Sequence, residues 1–147
     1  MRHLKRVITF ILVLAISVTC VGPAYAAREP EPDETQASPT LSMYGVWLNP
    51  GTKRGELRIS FEVTAAGMAS SLGVSYIKIY IEGSSVPVTI YGSTANGLKS
   101  SGTVYAHTYS YTGASSGARY YAVVAVYAQV GSIVDSRTLR TPTVTAP

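Results

Sequence analysis

This sequence predicts an all-β chain, folded as a two-sheet antiparallel sandwich of about seven strands. Three observations carry that expectation. Residues 56–64 and 74–82 alternate between apolar and polar side chains, the period of a strand with one buried and one wet face. Turn signals rich in Gly, Pro, Asn and Ser recur from Leu41 onward at roughly the 8-to-12-residue spacing of such folds. No amphipathic helix of useful length is found.

The first 26 residues read as a secretory signal peptide. Arg2, His3, Lys5 and Arg6 form a basic head, residues 7–18 an apolar stretch, and Ala24-Tyr25-Ala26 supplies the small residues that signal peptidase needs. The apolar stretch is too short for a permanent membrane helix, so no stable membrane insertion is expected after cleavage. Cys20 invites a lipoprotein reading, but the residue three positions before it is Ser17, where that pattern wants leucine. Cleavage after Ala26 takes three of the 12 basic residues and none of the 8 acidic ones, lowering the net charge from +4 to +1. The basic balance is therefore largely a targeting feature and no sign of nucleic-acid binding. The single cysteine leaves as well, so the exported domain must hold together by packing alone.

Residues 27–40 hold three prolines, four acids and no large apolar group, and are expected to be a disordered acidic spacer. Residues 41–147 are the expected β-sandwich domain. Its first strand, residues 41–48, ends at the turn Asn49-Pro50-Gly51. In the second, Leu57, Ile59, Phe61 and Val63 share one face. In the third, Ile77, Ile79 and Ile81 oppose Tyr76, Lys78, Tyr80 and Glu82. Between these two strands, residues 65–72 suggest a single helical turn, with Met68 and Leu72 covering one end of the core. A short strand at 86–91 contains Pro87, which removes a backbone donor and places it at an edge. Residues 103–112 make a fifth strand and 133–144 a seventh.

The sixth, Arg119 to Val130, is an unbroken run of tyrosine, valine and alanine, as in a strand buried on both faces at the middle of a sheet. Its β-branched and aromatic content argues against a buried helix.

A Tyr-rich strand after a Gly turn, followed by a Gly-Ser hairpin, resembles the closing strands of immunoglobulin-like and fibronectin type III domains. The resemblance implies that Tyr120 or Tyr121 forms a tyrosine corner, its hydroxyl bonding back to the upstream loop. The chain has no tryptophan on the third strand and no cysteine pair, which sets it apart from antibody-type domains. The stretches Ile59-Ser60-Phe61-Glu62-Val63, residues 73–80, residues 109–113 and Tyr120-Tyr121-Ala122-Val123-Val124 are similar to small exported proteins of Gram-positive, clostridia-like bacteria. That group implies fold and export and brings no active site.

Titratable groups are sparse. The mature chain has one histidine, His107, and its domain has four acids: Glu56, Glu62, Glu82 and Asp135. No Gly-x-Ser-x-Gly turn presents a nucleophile, and one histidine falls short of a zinc ligand set. The chain therefore reads as non-enzymatic, with no cofactor and no metal. Tyr105, His107, Tyr109 and Tyr111 share one face of the fifth strand, either as an aromatic platform or as that strand's core side; the core side is favoured. Tyr76, Lys78 and Tyr80 are the leading binding candidates, because the isoleucines of their strand already claim the core, although cross-strand packing on an ordinary wet face explains them too. Residues 92–102 are expected to be a long flexible loop. The chain ends in Thr-Ala-Pro without an apolar sorting tail, so release from the cell is expected. Two functions fit: a secreted, non-enzymatic interaction domain binding an unknown protein or glycan at or near the cell surface, or a purely structural or self-associating exported protein.

Overall fold

Leu57, Ile59, Phe61 and Val63 are fully buried, whereas Arg58 between them is exposed, so the alternation in the sequence is that of a true strand. In the computed structural model residues 38–147 are described; the expected signal peptide and residues 27–37 of the expected spacer lie outside them. The strands are β1 (Leu41–Pro50), β2 (Leu57–Ile81), β3 (Val88–Tyr91), β4 (Lys99–Tyr111), β5 (Arg119–Val130), β6 (Ile133–Arg140) and β7 (Val144–Thr145). All pair antiparallel in one seven-stranded open sheet.

The fold hangs on β2. Its first half lies between β1 and β4, and its second half between β5 and β3. The expected helical turn at 65–72 does not form: this segment continues the strand, merging the expected second and third strands into one of 25 residues. Register slips between Thr64 and Ala69, between Ala69 and Leu72, and between Val74 and Tyr76. Each irregularity shifts the pleat, as bulges do. The buried positions thus run 57, 59, 61, 63, 65, then 69, 72, 74, then 77 and 79, and all join one core. Met68, expected to cover that core, is 75% exposed, because the shifts turn it outward.

Gly73 sits among these slips with φ +133°. A Cβ there would run into the Leu98 carbonyl, which accepts a hydrogen bond from the Val74 amide at 2.7 Å. The loop before β4 is correspondingly shorter and more tightly held than expected. It spans 92–98, with Leu98 fully buried and Asn96 accepting from the Ser93 amide (2.9 Å) and donating to the Tyr91 carbonyl (2.8 Å).

β5 is paired on both sides, by β2 and β6, as expected of the Arg119–Val130 run. Burial on both faces holds only from Val124 to Ala128; Tyr121 and Val123 are half-buried. The last expected strand is divided: Thr141, whose hydroxyl accepts the Ala122 amide at 2.9 Å, ends the pairing with β6 before β7 begins.

Residues 38–40, at the end of the expected spacer, are tied to the sheet. One carboxylate oxygen of Asp135 accepts from the Ser38 hydroxyl (2.6 Å) and the Thr40 amide (3.0 Å). The Thr40 hydroxyl is 3.1 Å from both that oxygen and the Ala128 carbonyl, donating to one at a time. The Ser38 hydroxyl, followed by the Thr40 amide and hydroxyl, holds the Asp135 carboxyl below its ordinary 3.8, against an opposing contribution from desolvation.

Gly73→Ala should destabilise the domain by about 2–3 kcal/mol through backbone strain and the Leu98 clash, measured by denaturant unfolding. Val124→Ala, in the middle of β5, should cost about 1–3 kcal/mol through lost burial and a cavity. For Asp135, a folded-state pKa below the unfolded one means that the anchor stabilises above about pH 4 and is lost as the pH falls through the folded value. Asp135→Asn should therefore melt below wild type at neutral pH, and the gap should close on acidification.

Candidate functional site

The outward face of the second half of β2 carries Tyr76, Lys78 and Tyr80, as the alternation with Ile77 and Ile79 requires. All three are half-buried. The register brings further residues onto this face from neighbouring strands: Tyr91 of β3 opposite Tyr76, Tyr121 of β5 opposite Tyr80, and Arg140 of β6 opposite Val123.

These side chains make an ordered array. The Tyr80 and Tyr121 rings stack with centroids 5.0 Å apart and planes 4° from parallel. The Arg140 guanidinium lies 4.1 Å from the Tyr121 centroid. Tyr80 and Arg140 reach Tyr121 from the strands on either side of β5, and both pack on its ring. The Lys78 ammonium stands 5.1 Å from the Tyr76 ring centroid. Such contacts contribute about 0.5–1 kcal/mol each at exposed sites. One end of the face is closed by an ion pair between Arg119 and Glu82 at 2.9 Å. The other end is closed by Tyr127, which bonds the Ser71 hydroxyl and has Lys99 5.1 Å from its ring centroid. Among the described residues neither Lys78 nor Arg140 meets a carboxylate.

The sequence places Tyr76, Lys78 and Tyr80 together, and so does the structure. It misses Tyr91, Tyr121 and Arg140, which join the face only through pairing. Tyr121 was hidden in the Arg119–Val130 run; the signal for it is that Tyr121 and Val123 stand two apart, before the fully buried stretch begins.

The aromatic stripe of β4 is on the core side. Tyr105, Tyr109 and Tyr111 pack against the buried cluster, opposite Val63, Ile59 and Leu57. The Tyr105 hydroxyl donates to the Gly97 carbonyl at 2.6 Å, and burial pushes the Tyr111 hydroxyl pKa up. The His107 ring packs near Phe61 and parallel to Tyr105, and it also fills the space a side chain on Gly97 would need. Three of the domain's four acids have structural partners: Asp135 holds residues 38–40, Glu82 pairs with Arg119, and Glu56 accepts the Thr52 and Lys53 amides at 3.1 Å each. The Lys53 amide is the main influence lowering the Glu56 pKa. Glu62 alone has no such partner among the described residues. No three of His, Cys, Asp and Glu gather among those residues, and none of their helices is long and apolar enough to cross a membrane.

No protein-family model, curated protein or solved structure matches this chain.

Proposed function

We propose that this protein is exported behind a cleaved signal peptide and acts as a non-enzymatic interaction domain. It binds a protein or glycan at or near the cell surface through the face of Tyr76, Lys78 and Tyr80. The domain itself is read as a two-sheet sandwich of immunoglobulin or fibronectin type III type, related to exported proteins of Gram-positive bacteria. Two features support the sandwich: both halves of β2 contribute to one buried cluster, and the hydroxyl of buried Tyr120 accepts the Ser115 amide at 2.8 Å, as a tyrosine corner would.

The observation that carries the binding reading is the preorganised array on that face. Tyr80 and Tyr121 are fixed by cross-strand contacts and Tyr76 by Lys78 of its own strand, and among the described residues Lys78 and Arg140 stand beside them without counter-charges. Tyrosines held in this way lose little entropy on binding. Their flat surfaces are largely taken up by one another, so the face offers ring edges, hydroxyls and two cations.

A self-associating protein is the second reading. Met43 and Val104, 57% and 55% exposed, flank Thr64 on the outer side of β1 and β4 and give a second copy something apolar to cover.

Replacing Tyr76 and Tyr80 together with serine should leave the fold intact, since Ile77 and Ile79 hold the strand, at a loss of roughly 1 kcal/mol per cross-strand pair. The double variant should lose retention on purified cell wall and on whole producing cells. Wild-type protein that binds neither material favours the self-associating reading. A variant that binds as well as wild type moves the contact off this face.

A further inference from the structure

Trp47 is the only tryptophan in the chain, and it is half in solvent. It points outward from β1, opposite Ser60 of β2, while its neighbour Leu48 enters the core. Its six-membered ring reaches back over Gly45 into space a Cβ would occupy, with Cη2 2.5 Å and Cζ2 2.9 Å from that position. A larger residue at 45 would push the ring away; glycine lets it lie back along the strand. No described aromatic ring stacks on the tryptophan and no cation covers it, in contrast to Tyr76, Tyr121 and Tyr127.

Beside the ring lies a shallow hollow of about 310 Å³, lined in part by Trp47, Ser60, Glu62, Ala106 and Thr108. The register explains its make-up. Trp47, Ser60 and Thr108 stand in one row across β1, β2 and β4, and Gly45, Glu62 and Ala106 in the next. The small residues Gly45 and Ala106 leave room on both sides of Glu62. The Ser60 and Thr108 hydroxyls are 2.9 Å apart and bonded to each other. That bond uses one of their two O–H donors, leaving one O–H and several acceptor positions. Glu62 adds an acceptor-only carboxylate, the one acid of the domain with no structural partner among the described residues.

We propose that this hollow is a subsite for one neutral pyranose unit of an oligosaccharide. A pyranose has an apolar C–H face and a rim of hydroxyls. The uncovered part of the tryptophan ring suits the first, since an aromatic face is apolar and weakly negative. The hydroxyl pair and the Glu62 carboxylate suit the second, because sugar hydroxyls donate to both, and more strongly to a carboxylate. The volume lies at the small end of the range of about 300–1,000 Å³ for small-molecule sites, enough for a single ring. Glu62 disfavours a sugar acid; Arg58, on the same face beyond Ser60, does not line the hollow. The subsite shares no residue with the tyrosine face, and either can fail without the other.

Because Trp47 is the sole tryptophan, its emission reports on this site alone. Full-length protein is titrated with maltotriose, cellotriose and triacetylchitotriose, with a glucuronic acid trisaccharide as the charged counterpart. At least one neutral trisaccharide should change the emission saturably and outcompete the acidic one. Glu62→Gln should weaken binding about tenfold with an unchanged melting temperature. Trp47→Ala should abolish the heat of binding in calorimetry, and Tyr76→Ser with Tyr80→Ser should bind the trisaccharide as wild type does. The proposal is overturned if no neutral trisaccharide gives an emission change or heat at millimolar concentration, or if folded Glu62→Gln binds undiminished. It is also overturned if the emission shifts with protein concentration alone, which would assign the face to a second copy.

Discussion

One strand has to turn a single apolar face toward one core over 25 residues while exchanging its neighbours partway along. A straight, regular β2 cannot do this. Its first half needs β1 and β4 beside it, and its second needs β5 and β3. The irregularities between Thr64 and Tyr76 shift the pleat, so Ala69, Leu72 and Val74 stay inward although they fall on two different parities. Gly73 lets the backbone approach Leu98 closely enough for the Val74 amide to bond it. Everything that pairs with the second half of β2, including the tyrosine face, depends on that passage.

The same passage explains where sequence reasoning succeeded and where it failed. Strands with undisturbed alternation were legible from Leu57 to Val63 and from Tyr76 to Tyr80, because a period of two has few other causes. Ile81, expected on the core face with Ile77 and Ile79, is exposed at the strand's end. Across the slips, the buried positions fall at Ala65, Ala69 and Leu72, spacings of four and three. Those are the spacings of an amphipathic helix, so a bulged strand imitates a helical turn. The core side of the β4 stripe was legible because bulky Tyr105, His107, Tyr109 and Tyr111 oppose small residues on the other side. Pairing partners were not legible. Nothing local to Tyr121 or Arg140 says that they stand beside Tyr80 and Lys78; only the register does.

The charges follow a similar economy. Four acids cannot decorate a surface, and three of them are committed: Asp135 to the start of β1, Glu56 to the turn before β2, and Glu82 to Arg119. Asp135 works mainly through a donor set of hydroxyls and one amide, with the Arg137 charge as the smallest contribution, and together these depress its carboxyl pKa. The domain's cations are less committed. Lys78, Lys99 and Arg140 lie over tyrosine rings, where they keep their hydration on one side and their charge available.

The two aromatic surfaces differ in what their rings have left to offer. On the second half of β2, Tyr80 and Arg140 both pack on Tyr121, and Lys78 lies over Tyr76. A flat sugar ring gains little at Tyr121 or Tyr76, because stacking would require breaking contacts already made. Of the described rings on this face only that of Tyr91, which is exposed, is uncovered. Hydroxyls, ring edges and positive charge remain, which suit an irregular polar surface with acidic groups. On the first half, Trp47 has glycine beneath it and no aromatic partner among the described residues, so stacking a ligand ring there breaks none of their aromatic contacts. Its neighbours are hydroxyls and a carboxylate, with the opposite charge to the tyrosine face. β2 thus carries two surfaces of different chemistry, one cationic with most of its rings already in contact, the other acidic and open. A partner suited to one is poorly suited to the other.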